Sequence, residues 1–307
     1  MVRYVAAALA LKCLSSTSAT RRFYRRVSNA VGNSKRTAGP MPTYYLDRVK
    51  RTLEVANKYQ IVRDGDRIIE LGTGWLHWEA LTLRLFWDVE AVLYDVWDNR
   101  QLGGLKNYWG QFRGMLETEL GLTPAQLRRA RSVLDTITKV DSFEELYSKL
   151  GLRYVVETSG SLEQFPNDHF DLAVSAGVLE HIDKPILPGL IEGTHRILRP
   201  NGVALHSIDT SDHLSYYDPK VRRKEYLACS EPVWKLLFEN KIQYINRIQR
   251  AAWLDLFKAK GFGVLEEDSR YIDLGDLRLA PAYATMNLND VSCRTIRLTL
   301  QKRLPPS

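Results

Sequence analysis

The residues best suited to chemistry fall in three places: a glycine turn, an aspartate one strand beyond it, and a later group of histidines and carboxylates. In IIELGTGW, Ile68 to Trp75, an apolar run passes into Gly72-Thr73-Gly74. Glycines let the backbone approach a ligand closely, and the carboxyl end of the first strand is where open α/β sheets bind nucleotide-like cofactors. Asp95 stands 23 residues beyond Gly72, at the end of a second apolar run, Ala91–Val96 (AVLYDV). A carboxylate there accepts hydrogen bonds from both hydroxyls of a ribose. The third glycine of a dinucleotide fingerprint falls at His77. Without it the close helix–strand packing beside a pyrophosphate is lost, which counts against NAD or FAD and favours a ribose-bearing cofactor without phosphates. Further along, Glu180-His181, His206, Asp209 and Asp212-His213 supply groups of the kind that take a proton from a weak nucleophile.

The elements that must position these groups can be read from periodicity. Tyr44 to Tyr59 repeats apolar residues at helical spacing, with Leu46, Val49, Leu53 and Ala56 on one stripe. Arg67–Leu71 reads as a buried strand, Trp78–Phe86 as a helix and Ala91–Val96 as the second strand, a unit whose crossover is right-handed. Further strands are expected at Tyr154–Glu157, Asp171–Ser175, Val203–Ile208, Phe262–Glu267 and Thr295–Leu300, with helices at Leu187–Leu198 and Ile245–Lys260 and a turn at Leu198–Gly202. Alternation of this sort implies an α/β fold, a doubly wound and mostly parallel sheet covered on both faces. The expected division is a basic tail over residues 1–42 and one catalytic domain over 43–307, with insertions at about 99–150 and 210–244.

The formal charge of +7 is unevenly spread. Residues 1–46 hold Arg3, Lys12, Arg21, Arg22, Arg25, Arg26, Lys35 and Arg36 and no acid, leaving 35 basic against 36 acidic residues in the remainder. The body is therefore not a basic protein, and no nucleic-acid partner is expected. Three readings of the tail stand side by side. Its composition matches a mitochondrial transit peptide; Arg21–Val31 as a helix with Phe23, Tyr24 and Val27 near one face would pack on the domain; the same helix would touch an anionic membrane surface. Cys13, Cys229 and Cys293 lie far apart, which favours a reducing compartment and offers no metal framework. The apolar run Tyr4–Leu11 is too short to span a bilayer, so a cytoplasmic location is expected, with a mitochondrial one as the alternative. No motif fixes an oligomeric state.

The order ELGTGW, YDVWD, FDLAVSAGVLEHI and ILRPNG resembles the class I S-adenosylmethionine-dependent methyltransferases, in particular those of the type 11 group. The likeness covers roughly Ile68 to Ile208. It implies a Rossmann-like seven-stranded sheet in which an antiparallel last strand, Thr295–Leu300, inserts beside the fifth. It also implies adenosylmethionine as cofactor, with Glu70, Gly72, Thr73 and Gly74 at the methionine part and Asp95 and Val96 at the ribose and adenine edge. Many relatives carry an acid after the third strand that meets the adenine amino group; Ser159, Gly160 and Ser161 occupy those positions here. Ala176 and Gly177 end the fourth strand, whose tip flanks the departing methyl. A closer likeness, to members that share ELGTGW and later carry D-H and N-R pairs, matches Asp212-His213 and Asn246-Arg247. It leans the acceptor toward a small hydroxylated molecule or glycan.

Within that frame His181 is the candidate general base toward an acceptor hydroxyl, with His213 and Asp209 as further catalytic candidates; the competing role for Glu180-His181 is to cap a helix or hold the cofactor loop. His206, Tyr216, Tyr217 and Arg247 are candidates for the acceptor side, although a histidine inside an apolar strand is more often core and an arginine more often in a salt bridge. The segment with Tyr216, Tyr217, Trp234 and Tyr244 would form a lid. RNA 3′-end methyltransferases carry E-x-x-E-H plus a further histidine as metal ligands, but Gly177 replaces the first glutamate, so no metal is expected. Two other functions stay open: a non-catalytic adenosylmethionine or nucleotide-binding module, and a nucleic-acid methyltransferase recruited by the tail. The near-neutral body disfavours the latter, as does the lack of an Asn-Pro-Pro-Tyr-like tetrapeptide after the fourth strand.

Overall fold

The computed structural model describes residues 1–303. Its sheet has seven strands in the order β3-β2-β1-β4-β5-β7-β6. They are β1 (Arg67–Leu71), β2 (Glu90–Asp95), β3 (Leu152–Val156), β4 (Phe170–Ala176), β5 (Leu198–Asp209), β6 (Phe262–Tyr271) and β7 (Cys293–Lys302). β7 lies between β5 and β6 and is antiparallel to both; the pairings among β1 to β5 are parallel. The strand order reverses between β1 and β4, so the carboxyl ends of β1 and β4 open a crevice there.

The helices follow from their apolar stripes. In α3 (Thr43–Tyr59) the residues Val49, Leu53 and Ala56 are buried, and with α4 (Trp78–Phe86) they cover one face of the sheet. The stretch 99–150 adds α5 (Leu102–Arg113), a single turn α6 (Leu116–Glu119), α7 (Pro124–Lys139) and α8 (Phe143–Leu150) to the same layer. Thr123 caps α7 with Pro124 in its first turn, and Ser142 caps α8, as their sequences require. The opposite face is covered by α9 (Leu187–Ile197) and, beyond the short α10 (Glu231–Val233), by α11 (Arg250–Ala259), through Ile191, Ile197, Trp253 and Phe257.

Residues 1–42 hold α1 (Val2–Ser15) and α2 (Ser18–Ala38). Tyr4, Ala8 and Leu11 of α1 form a stripe buried against Leu214, Tyr226, Trp234 and Phe238 of the second insertion, a third core apart from the sheet. α2 lies along α5. Gly103 and Gly104 permit this approach: a Cβ on Gly104 would stand 2.8 Å from Cβ of Arg36.

Two boundaries differ from the sequence reading. The helix expected from Ile245 begins at Arg250, because Arg247 adopts φ +55° and Asn246 spends its side chain elsewhere. The turn at Leu198–Gly202 lies inside β5. Leu198 already pairs with Phe170, and a register shift places the extra residues, with Asn201 at φ +63°, before pairing resumes at Val203.

Candidate active site at the carboxyl edge of the sheet

The glycine turn is held from both sides. Gly72 (φ +68°) and Gly74 (φ +60°) use backbone conformations that other residues rarely adopt. A Cβ on Gly72 would stand 2.5 Å from Cγ2 of Val178, so this glycine also lets the turn after β1 pack on the turn after β4. Glu70, expected beside the methionine amino group, is buried beneath the turn. Its carboxyl accepts from Thr73 Oγ1 (2.9 Å) and from the amides of Glu79 and Ala80 at the start of α4. Burial and the neighbouring Glu79 push its pKa well above the usual value. With the Thr73 hydroxyl donating to Glu70, its oxygen receives Nδ1–H of His77 (2.8 Å), and Nε2 of His77 in turn faces the Tyr147 hydroxyl (2.9 Å). Burial lowers His77 to about 3 and keeps it neutral. The residue at the missing third glycine thus ties the cofactor turn to α8 of the first insertion.

Asp95 fits the ribose role in position. Its Oδ2 accepts from Gly74 N (2.8 Å), and its Oδ1 from Val96 N (2.7 Å) and Trp97 N (3.2 Å). A carboxylate offers about four acceptor sites. One side of Oδ2 is therefore left for a ligand hydroxyl. Burial raises its pKa while those three amides oppose the shift. Ser159, Gly160 and Ser161 close the edge beside it: a Cβ on Gly160 (φ +74°) would meet Val96 Cγ1 at 3.7 Å, and the Ser161 carbonyl receives the Tyr94 hydroxyl. The nearest carboxylate after the third strand, Glu157, lies one residue past β3 and is engaged by the amide and hydroxyl of Ser159. Trp75 and Trp97 flank this region, and α2 bridges them, with Arg36 over the Trp75 ring (3.6 Å) and Arg25 over Trp97 (3.8 Å). The sequence reading did not find these pairs, since they join residues 39 to 72 positions apart.

The second group assembles at the tips of β4 and β5. After Ala176 and Gly177 (φ +69°) a 3-10 turn, Leu179–His181, carries Glu180 and His181. Asn246 clamps that turn. Its amide donates to the Glu180 carbonyl (2.8 Å), and its Nδ2 to the carbonyls of Leu179 (2.8 Å) and Ile182 (3.2 Å). Nδ1 of His181 is 2.7 Å from the Tyr244 carbonyl, so it carries the proton and leaves the Nε2 lone pair free. Protein crowds this ring, which still opens to solvent, and together with the adjacent His213 lowers its pKa.

Glu180 is 2% exposed; Oε1 accepts the amide of Asp209 (3.1 Å). Burial, with Asp209 nearby, lifts its pKa to about 8. The rings of His181 and His213 are 4.9 Å apart, and His213 Nε2 is 3.7 Å from Asp209 Oδ2. Burial pushes the Asp209 carboxyl up, but His213 and Ser211 outweigh it and hold it below the usual carboxylate range. Tyr216 donates to Asp209 (3.2 Å) and packs on His213.

Other candidates are occupied elsewhere. His206 is core: its Nδ1 meets Ser175 Oγ (2.8 Å), its ring stacks on Phe257, and burial lowers it to about 4. Arg247 is buried, paired with Glu231 and set over Trp234. Tyr217 bonds Gln243 at the surface. Asp212 turns inward to receive the Tyr4 hydroxyl (2.6 Å) and the amides of Leu214 and Tyr226, so the D-H pair has one member anchoring α1 and one facing the cleft.

Residues 40–267, most of the chain, match the model of a family described as "Methyltransferase domain". The chain belongs to this methyltransferase family. It is an adenosylmethionine-dependent methyltransferase, and adenosylmethionine is its cofactor. Asp95, the glycine turn and the Val96–Gly160 edge would hold the cofactor's nucleoside, and the tip of β4 would border its methyl. The sulfonium of this cofactor supplies an electrophilic methyl carbon. No curated protein sequence matches the chain at a significant level. Among solved structures it is similar to the CurJ carbon methyltransferase (12% identity, 78% of this chain and 49% of that one, TM-score 0.41), spanning about half of that protein's length. It is also similar to an SAM-dependent methyltransferase of Methanosarcina mazei (15%, 81% and 98%, 0.45). A third is the Haemonchus contortus phosphoethanolamine N-methyltransferase 2 (13%, 83% and 53%, 0.46).

Proposed function

We propose that the protein transfers the methyl group to an oxygen of a small hydroxylated acceptor, of the glycan or secondary-metabolite kind, at the edge formed by Glu180, His181, Asp209 and His213. The observation that carries this reading is the fixed His181 ring, whose free Nε2 stands beside the tip of β4 with two further polar groups. In the step, an oxygen lone pair forms the C–O bond as the C–S bond breaks, sulfur keeps the electron pair, and the hydroxyl proton passes to Nε2 of His181. A His181→Gln protein that keeps its adenosylmethionine affinity is expected to make adenosylhomocysteine about 100-fold more slowly or worse with a panel of hydroxylated acceptors. Turnover at the parental rate would sink the assignment. Tight cofactor binding with no turnover on any acceptor would favour a non-catalytic module.

We also infer that α2 rests on an anionic membrane surface. The face opposite its contacts with Trp75 and Trp97 exposes Phe23, Val27 and Val31, flanked by exposed Arg22, Arg26 and Lys35, with no acid in the helix. Apolar side chains entering the lipid boundary beside basic ones at the headgroups is the arrangement of an interfacial helix. Among the described residues no helix is long and apolar enough to cross a membrane. The protein should float with vesicles containing phosphatidylserine and not with pure phosphatidylcholine, and Phe23→Ser with Val27→Ser should abolish this. Failure to float with either, or flotation indifferent to the substitutions, would reject it.

A further inference from the structure

The turn after β4 and the segment after β5 bring the adjacent Glu180 and His181 together with His213, more than 30 residues further along the sequence. One carboxylate oxygen of Glu180 and one ring nitrogen each of His181 and His213 all lie within 4.8 Å of one another. We propose that Glu180, His181 and His213 form a binding site for a divalent first-row transition cation. The proposal rests on the reading above only for where the acceptor oxygen sits; with a cation bound, His181 serves as ligand rather than free base.

Three features carry it. First, Oε2 of Glu180 is buried and has no hydrogen-bond partner among the described residues, although Oε1 of the same group is satisfied by the Asp209 amide. A carboxyl oxygen withdrawn from water and left unpaired is costly to ionise; it holds a proton instead, and a bound cation can take that proton's place. Second, Nδ1 of His181 is committed to the Tyr244 carbonyl, which fixes the tautomer and aims Nε2 as a lone pair; metal-ligating histidines are held by just such a bond on their other nitrogen. Third, Asp209 stands 3.7 Å from His213 and is positioned to orient that ring from outside the ligand set.

Two imidazoles and one carboxylate suit cations such as Zn²⁺, Mn²⁺ or Co²⁺, and three protein ligands leave coordination positions open. Bonds of roughly 2.1 Å require the three atoms to draw in by about an ångström, a shift within reach of side-chain rotation. An acceptor hydroxyl in an open position loses its proton more readily, so it arrives as the stronger nucleophile. The missing glutamate at Gly177 does not exclude the site, since His213 comes from another strand tip.

The test uses the full chain stripped with chelator, dialysed, and titrated with Co²⁺ alone, followed by visible absorption and by metal analysis after gel filtration. About one equivalent per chain, with ligand-field bands displaced by Zn²⁺, is expected. Glu180→Gln and His213→Gln should each weaken Co²⁺ binding at least tenfold while adenosylmethionine affinity, which reports folding, stays within twofold. No stoichiometric binding of Co²⁺, Zn²⁺ or Mn²⁺, or binding that both variants retain, would overturn the proposal. One equivalent bound at this site by a protein that methylates no hydroxylated acceptor supports the cation site and rejects the acceptor reading, so the two fail separately.

Discussion

The two halves of the sheet's carboxyl edge are built in different ways. The cofactor half draws on residues adjacent in the chain: Gly72 to Trp75, Asp95 to Trp97 and Ser159 to Ser161 each form one turn at one strand tip. The half proposed to meet the acceptor takes Glu180 and His181 from one turn, Asp209, His213 and Tyr216 from another, and is locked by Tyr244 and Asn246 from a third. The first half is a set of local backbone conformations. The second is an assembly, and its members depend on long-range polar contacts to be near one another.

Substitutions should therefore separate the halves. The largest effect is expected from Gly72→Val, which forces a β-branched residue to φ +68° and drives its Cβ into Val178. It should cost about 3 kcal/mol of stability and abolish cofactor binding, as read by calorimetry, because this glycine joins the two turns. A Val variant that folds and binds normally would mean that the turns are independent. Next, Asn246→Ala removes two bonds to the turn bearing Glu180 and His181. It should lower kcat by about tenfold or more while leaving adenosylmethionine affinity unchanged; loss of cofactor affinity instead would erase the distinction between the halves.

The polar network under the acceptor half supplies a pH test. Lys224, buried with its ammonium on Thr210, Tyr226 and Gln249, is lowered by that burial to about 7, against a usual value near 10.5. The unfolded chain then binds the extra proton between about pH 7 and 10.5, so this residue's contribution to stability rises with pH across that window and is flat below it. Denaturation of the parent against Lys224→Met should show the parent gaining between pH 7 and 10; a pH-independent difference would show that the amine keeps its usual value. The smallest effect belongs to Arg25→Ala and Arg36→Ala. Each removes a stacked guanidinium worth about 0.5–1 kcal/mol, and together they should speed cofactor release by roughly tenfold, measured by stopped-flow.

Legibility in the sequence followed the same division. Trp78–Phe86 was readable to the residue, and β1, β2, β4 and β7 within a few, because buried strands and amphipathic helices carry their periodicity locally. The helix expected from Ile245 was misplaced because the left-handed Arg247 and the clamp by Asn246 answer to partners outside the segment. Glu70 was expected at the cofactor from its place at the strand end; only the packed structure shows that its oxygens also accept from α4 amides. His77 was read as an absent glycine, and its bridge from Thr73 to Tyr147 needed the fold to bring α8 alongside.

The sequence by itself determined most of the strands, the glycine turn and the carboxylate at the end of β2, because each is a short-range consequence of residue type and spacing. Tertiary structure alone decided that α1 is part of a core, that α2 spans the cofactor edge with its apolar face outward, and that His213 meets Glu180 and His181. Such contacts depend on distances set by the packing of the sheet and its insertions, and no local pattern of residues encodes them.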